Sequence, residues 1–193
     1  MAMNKIKSLA VFCGSSIGSS PEYQLKAEKM GKALVKNNIS LVYGGGNIGL
    51  MGKIATYVSS NNIEVIGILP KKLNLPQVVN KDVETKRIIV EGMHERKAKM
   101  YELSDGFIAL PGGIGTFEEF FEAFTWLQLG YHSKPIGLLN VNGFYDELIN
   151  FLNGAVEQGF IKKEVLDKLV VEEEPSVLIE KMKDIDLRVP QKI

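Results

Sequence analysis

The run Pro111-Gly112-Gly113-Ile114-Gly115-Thr116 follows the apolar stretch Phe107 to Leu110 and precedes a segment of helical periodicity. A helix N-terminus exposes unpaired backbone N–H groups and a partial positive charge, and glycines let a phosphate reach them without an intervening side chain. Gly112, Gly113 and Gly115 suit that task, so this turn is expected to bind a phosphorylated small molecule.

Two readings compete for the residues just beyond it. Thr116 and Glu119 have the T-x-x-E spacing of a helix capping box, which would make Glu119 a local structural residue. A carboxylate beside a phosphate site could equally be catalytic. Glu118 and Glu122 read as solvated helix surface or as complements to the helix dipole. Upstream, Met93-His94-Glu95-Arg96-Lys97 opens another helix. Cations at a helix N-terminus oppose the macrodipole, so Arg96 and Lys97 hint at an anionic partner, although a charge run is commonly a solvated face. His94 and His132 lack Cys, Asp or His neighbours at ligand spacing, and no metal is expected.

Two further glycine-rich turns follow apolar runs: Cys13-Gly14-Ser15-Ser16 and Gly44-Gly45-Gly46-Asn47-Ile48-Gly49. Gly44, Gly46 and Gly49 match the dinucleotide pattern G-x-G-x-x-G. The match follows the second expected strand rather than the first, and no acid stands at the end of the next strand to hold a ribose, so a nicotinamide cofactor is not supported.

Short β-branched and aromatic runs alternate with longer amphipathic segments, which is the pattern of βαβ units around a parallel sheet. Strands are expected at Ser8–Cys13, Ser40–Tyr43, Val65–Leu69, Arg87–Val90, Phe107–Leu110 and Ile136–Leu139. Helices are expected at Tyr23–Asn37, opened by Ser20 and Pro21, and at Leu50–Ser60, Met93–Ser104, Phe117–Leu129 and Phe144–Gln158, with Val165–Leu169 and Ser176–Met182 also helical. Right-handed crossovers make this a Rossmann-like, doubly wound α/β sheet flanked by helices, with the glycine turns on one rim. The irregular stretch from Pro70 to Lys86 reads as a flap beside that rim.

The chain has 193 residues, 45% of them hydrophobic, which fits a single domain with a sizeable core. Lys plus Arg (23) balances Asp plus Glu (23), leaving no net field to recruit nucleic acid or an anionic membrane. One cysteine, Cys13, precludes an intrachain disulfide, and no stretch approaches the ~20 apolar residues of a membrane helix, so a cytoplasmic setting is expected.

Five blocks in order carry a family resemblance: Ala10 to Ser15, Tyr43 to Gly46 with Gly49 to Gly52, Met93 to Lys97, Pro111 to Glu119 as P-G-G-x-G-T-x-x-E, and Thr125 to Gly130. The sequence resembles the LOG ("lonely guy") proteins, cytokinin riboside 5′-monophosphate phosphoribohydrolases once labelled lysine decarboxylases. The resemblance implies that Arg96 and Glu119 form a catalytic pair and that Gly112, Gly113, Gly115 and Thr116 hold a nucleotide 5′-phosphate. Ser15, Gly45, Gly46 and Lys97, on the same rim, together with Thr125 complete the expected substrate-binding set. It also implies a homodimer in which Thr125 to Gly130 helps form the pocket or the interface. The implied reaction is hydrolysis of the N-glycosidic bond of a purine nucleoside 5′-monophosphate, either AMP or an N6-modified AMP, with no cofactor. No feature suggests a pyridoxal phosphate site. The alternative is a nucleotide-binding or molybdenum-cofactor carrier without hydrolysis, which would have phosphate turns but no evident need for the Arg96 and Glu119 pair.

Overall fold

The computed structural model describes residues 4–75 and 83–188. Seven strands form one parallel sheet: β1 (Ser8–Phe12), β2 (Ser40–Tyr43), β3 (Val65–Pro70), β4 (Lys86–Val90), β5 (Phe107–Ala109), β6 (Ile136–Leu139) and β7 (Leu169–Glu172). Their order is β4-β3-β2-β1-β5-β6-β7. Apolar side chains on both faces of each central strand explain the two-layered core. In β1, Leu9 and Val11 pack into one cluster, while Ala10 and Phe12 pack into the other.

Helices α1 (Pro21–Lys36), α2 (Gly49–Ser60) and α7 (Pro175–Asp184) cover the Leu9 face. On the Phe12 face lie α3 (Met93–Leu103), α4 (Ile114–Leu129) and the less buried α5 (Asp146–Glu157), with a one-turn α6 (Lys163–Leu166). The α1 start is as expected: Pro21 occupies the first turn, and Ser20 Oγ accepts from Glu22 N–H at 3.3 Å.

The six expected strands are present with ends within one residue of the sequence reading. A seventh was missed. Val165–Leu169 was expected to be helical, but the helix stops at Leu166, and Leu169 begins β7, which pairs with β6 from Ile136↔Leu169 to Leu139↔Glu172. Within the expected flap, Lys71–Leu73 form a single 3-10 turn and Lys86 already belongs to β4, whereas positions 76–82 lie outside the described residues.

The chain runs outward from β1 to β4 and returns to β5 on the other side of β1, so the order reverses between β1 and β5. A doubly wound sheet opens its ligand crevice at such a reversal. The register Ala10↔Phe107, Val11↔Ile108, Phe12↔Ala109 brings the two strand ends level. The Cys13–Ser16 and Pro111–Gly113 turns therefore emerge side by side, joined by a Gly14 N–H to Pro111 carbonyl bond of 3.0 Å.

Candidate active site

The first turn of α4 forms the cradle. The helix begins at Ile114 with Gly113 as its cap residue, and its ladder opens with Phe117 N–H to the Gly113 carbonyl at 3.1 Å. The N–H groups of Ile114, Gly115 and Thr116 consequently have no carbonyl within the helix to bond. A Cβ at Gly113 or Gly115 would meet nothing within 4 Å, so glycine there keeps open the space in front of those donors. At Gly112 the constraint is packing: a side chain would overlap the Thr116 hydroxyl and come within 2.9 Å of Gly14 N.

This geometry removes the capping-box reading. Thr116 is the third residue inside the helix, so it cannot cap it, and Glu119 lies in the second turn. The Glu119 carboxylate is turned toward α3, where Oε1 accepts from Arg96 Nη1 at 2.6 Å. Both side chains are buried, with 11% and 10% of their surface exposed for Arg96 and Glu119. Arg96 Nε also donates to the Ile68 carbonyl near the end of β3, at 3.3 Å. The guanidinium lies where a Cβ at Gly44 would be, which is why the end of β2 carries a glycine.

The pair thus rests on the carboxyl ends of β1, β2 and β3, one helical turn beyond the cradle. Burial pushes the Glu119 carboxyl above its ordinary range, and the Arg96 charge and hydrogen bond pull against that push; Glu118 raises it further, and Lys97 lowers it. Cys13 lies close enough for the Glu119 charge to add to the effect of burial, and its thiol is held protonated.

The remaining expected residues separate into groups. Ser15 is exposed on the rim, and Gly45 and Gly46 are buried beneath it. Gly49, at φ +64°, lets the β2 turn press against the Ser15 backbone, and the Leu50 N–H donates to the Gly14 carbonyl at 3.1 Å. The G-x-G-x-x-G match is thereby accounted for by Arg96 at Gly44 and by turn-to-turn packing at Gly49. Lys97 has its ammonium on two carboxylates of α4: it is bonded to Glu118 and lies 3.1 Å from Glu122. Glu118 and Glu122 are therefore ion-pair partners and not merely solvated surface. Thr125 is exposed on α4, about 13 Å along the axis from Thr116, so within one chain it does not reach the cradle. His94 is exposed, and His132 bonds the Ala123 carbonyl at 3.0 Å. Among the described residues no three His, Cys, Asp or Glu side chains converge as a metal site.

Sequence reasoning missed the supports of the site. Tyr145, buried, donates its hydroxyl to the Leu110 carbonyl at 2.6 Å, bracing the residue before Pro111. Its own N–H is held by Asn140 Oδ1 at 2.7 Å, and Asn140 Nδ2 donates to Asp146. Asn142, at φ +52°, sits in the turn that carries Tyr145 there. An Asn-x-Asn-Gly run after a strand signals such a turn, but not its target.

Comparison with known proteins identifies the family. A family model described as "possible lysine decarboxylase" matches residues 51–182. A probable cytokinin riboside 5′-monophosphate phosphoribohydrolase of Oryza sativa subsp. japonica is 45% identical over 95% of this chain and 75% of its own length. A cytokinin riboside 5′-monophosphate phosphoribohydrolase of Arabidopsis thaliana is 46% identical over 95% of this chain and 85% of its own. The chain belongs to the LOG family. Among solved structures, the LOG-family fold seen here is similar to the molybdenum cofactor binding protein of Rippkaea orientalis, with a TM-score of 0.70 and 22% identity over 93% of this chain and 97% of that one. It is also similar to the molybdenum cofactor carrier protein of Chlamydomonas reinhardtii, with a TM-score of 0.69 and 18% identity over 93% and 98%. At that identity the likeness is one of fold.

Proposed function

We propose that this protein hydrolyses the N-glycosidic bond of purine nucleoside 5′-monophosphates, AMP or N6-modified AMP, to free base and ribose 5-phosphate, and that it works as a homodimer. The carrying observation is the buried Arg96–Glu119 pair set one helical turn beyond an open cradle of backbone donors. The names of the curated relatives support the same reaction class.

The cradle takes the 5′-phosphate on the α4 N–H groups, which fixes the ribose above the second turn of that helix. Breaking the C1′–N bond sends its electron pair to the base and builds positive charge on the ribose, which a carboxylate near C1′ stabilises. Glu119 is that carboxylate; it accepts one proton of the water whose oxygen bonds to C1′ and returns it to bulk water, while the departing base nitrogen takes one proton from bulk water, so that one water is consumed and Glu119 is regenerated. Arg96 stays cationic throughout; it offsets part of the burial that disfavours the ionised carboxylate and aims it, and its fork is suited to a phosphate or ribose oxygen. A carrier would bind the phosphate in the same turns without needing a carboxylate in this position.

The decisive assay incubates the protein with AMP and, separately, with N6-isopentenyladenosine monophosphate and follows the released base. Release from at least one is expected, with Glu119→Gln lowering kcat on the order of a hundredfold or more while nucleotide still binds. Absence of release from both would end the hydrolase reading.

For the dimer, the support is a stripe on α4. Ile114, Phe121 and Leu129, exposed by 82, 37 and 51%, lie with Thr125 on the helix face opposite the buried Thr116, Phe120 and Leu127, and Tyr131 follows at 75%. A second copy covering this stripe removes it from water and gives Thr125 a place at the interface.

A further inference from the structure

Arg96 and Glu119 stand on different helices, and their separation depends on how α3 is set against α4. Two α3 side chains, Lys97 and Tyr101, make that setting. Lys97, adjacent to Arg96, has 8% of its side chain exposed and is bonded to Glu118, with Glu122 at 3.1 Å. Tyr101, one turn on, donates to Glu122 at 2.6 Å, lies 3.5 Å from the Glu119 carbonyl, and meets the Trp126 ring at 4.8 Å between centroids. Glu122 therefore receives both Lys97 and Tyr101, so α3 is clamped to α4 by residues immediately flanking the catalytic pair.

We propose that Lys97, held by Glu118 and Glu122, is a positioning residue and not a phosphate ligand: it sets Arg96 against Glu119 through the α3–α4 clamp. A buried ammonium already bonded to two carboxylates has little charge left for a substrate phosphate, and withdrawing it from them would leave Glu122 sharing only Tyr101. The inference rests on the hydrolase reading for its kinetic consequences.

The charged groups that act on Glu119 are Arg96 and Lys97 from α3 and Glu118 from its own helix, and Tyr101 from α3 and Cys13 from the end of β1 feel its charge in turn. Lys97 lowers the Glu119 pKa from a distance, so losing its charge moves that pKa up and shifts the acid limb of the pH–rate profile to higher pH.

The test compares wild type with Lys97→Met, Lys97→Arg and Glu122→Gln. For Lys97→Met, kcat is expected to fall on the order of ten- to a hundredfold, as for a small misplacement of the reacting groups, with KM and inhibition by inorganic phosphate little changed. Glu122→Gln is expected to lose kcat in the same sense and Lys97→Arg to recover part of the loss. A raised KM with weakened phosphate inhibition and unchanged kcat would make Lys97 a phosphate ligand and overturn the proposal. Unchanged kcat in Glu122→Gln would overturn it too, even if Lys97→Met fails to fold. Carboxyl titration of Glu119 by 13C NMR separates the two readings: it must shift upward in Lys97→Met whether or not the wild type releases base, and an unmoved titration sinks the clamp as an electrostatic device.

Discussion

In the proposed reaction Glu119 depends on Arg96, and Arg96 reaches it because the residue after β2, Gly44, has no side chain. Gly44 is not in the left-handed region of backbone space, so alanine there is strained by contact alone, against the guanidinium. Gly44→Ala is expected to fold and to lower kcat on the order of ten- to a hundredfold by displacing Arg96, which circular dichroism and steady-state kinetics on the same sample will check. The burial of the pair also sets a pH dependence. Because the Glu119 pKa is raised, its carboxyl takes up a proton at a higher pH than an exposed glutamate would, and the protonated form can neither accept a proton from water nor stabilise a ribosyl cation. Activity is therefore expected to fall as pH drops through that raised value, and kcat measured against pH should lose this limb in Glu119→Gln. Glu119 was singled out by the P-G-G-x-G-T-x-x-E resemblance, since its spacing alone read as a helix cap. Its orientation was not legible: the T-x-x-E spacing suggested a cap, but the helix starts three residues earlier than a Thr116 cap would place it, and its cap is a glycine that has no side chain to signal the boundary. The partnership of two residues 23 positions apart depends on sheet order, which periodicity does not give.

At the scale of elements, α4 does two jobs with its two ends, and they can be separated. Gly113 has an extended backbone (φ −101°, ψ −158°) and free space around its missing Cβ, so nothing in the fold requires glycine. As the cap residue of α4, glycine is still preferred to a β-branched residue, so Gly113→Val is expected to lower stability by roughly 0.5–1 kcal/mol. If the turn holds the 5′-phosphate, the same change should raise KM at least several-fold by placing methyl groups in front of the N–H donors. Thermal melting and KM together decide the point: a variant that melts earlier with unchanged KM would show the glycine to be structural. β1, β2, β3, β5 and β6 were readable because each is a short apolar run buried over most of its length, and the edge strand β4 because Ile88-Ile89-Val90 is β-branched, although Lys86 and Ile89 are exposed. β7 was not, because an edge strand of four residues between Lys168 and Glu173 looks from sequence like the tail of the helix before it, with Val165 and Leu169 at helical spacing.

For the whole molecule, the question is what covers the outer face of α4. Isolated exposed apolar side chains are ordinary, but Ile114, Phe121 and Leu129 recur along one side of a helix whose opposite side is in the core, and Tyr131 extends the row. The row begins at Ile114, between Gly113 and Gly115 of the cradle, so a subunit seated on it would also wall the mouth of the site. In the proposed dimer, assembly would therefore be coupled to binding. Phe121→Asp puts a charge in the centre of the row on a side chain already 37% exposed, which the folded monomer can tolerate more readily than an interface can. Sedimentation of the variant is expected to give the monomer mass where the wild type gives a dimer. Nucleotide KM should rise with it, because the partner's wall is gone, while Arg96 and Glu119 remain paired within each chain. A variant that stays dimeric would place the interface elsewhere, and a monomer with wild-type KM would show that each chain binds substrate without its neighbour.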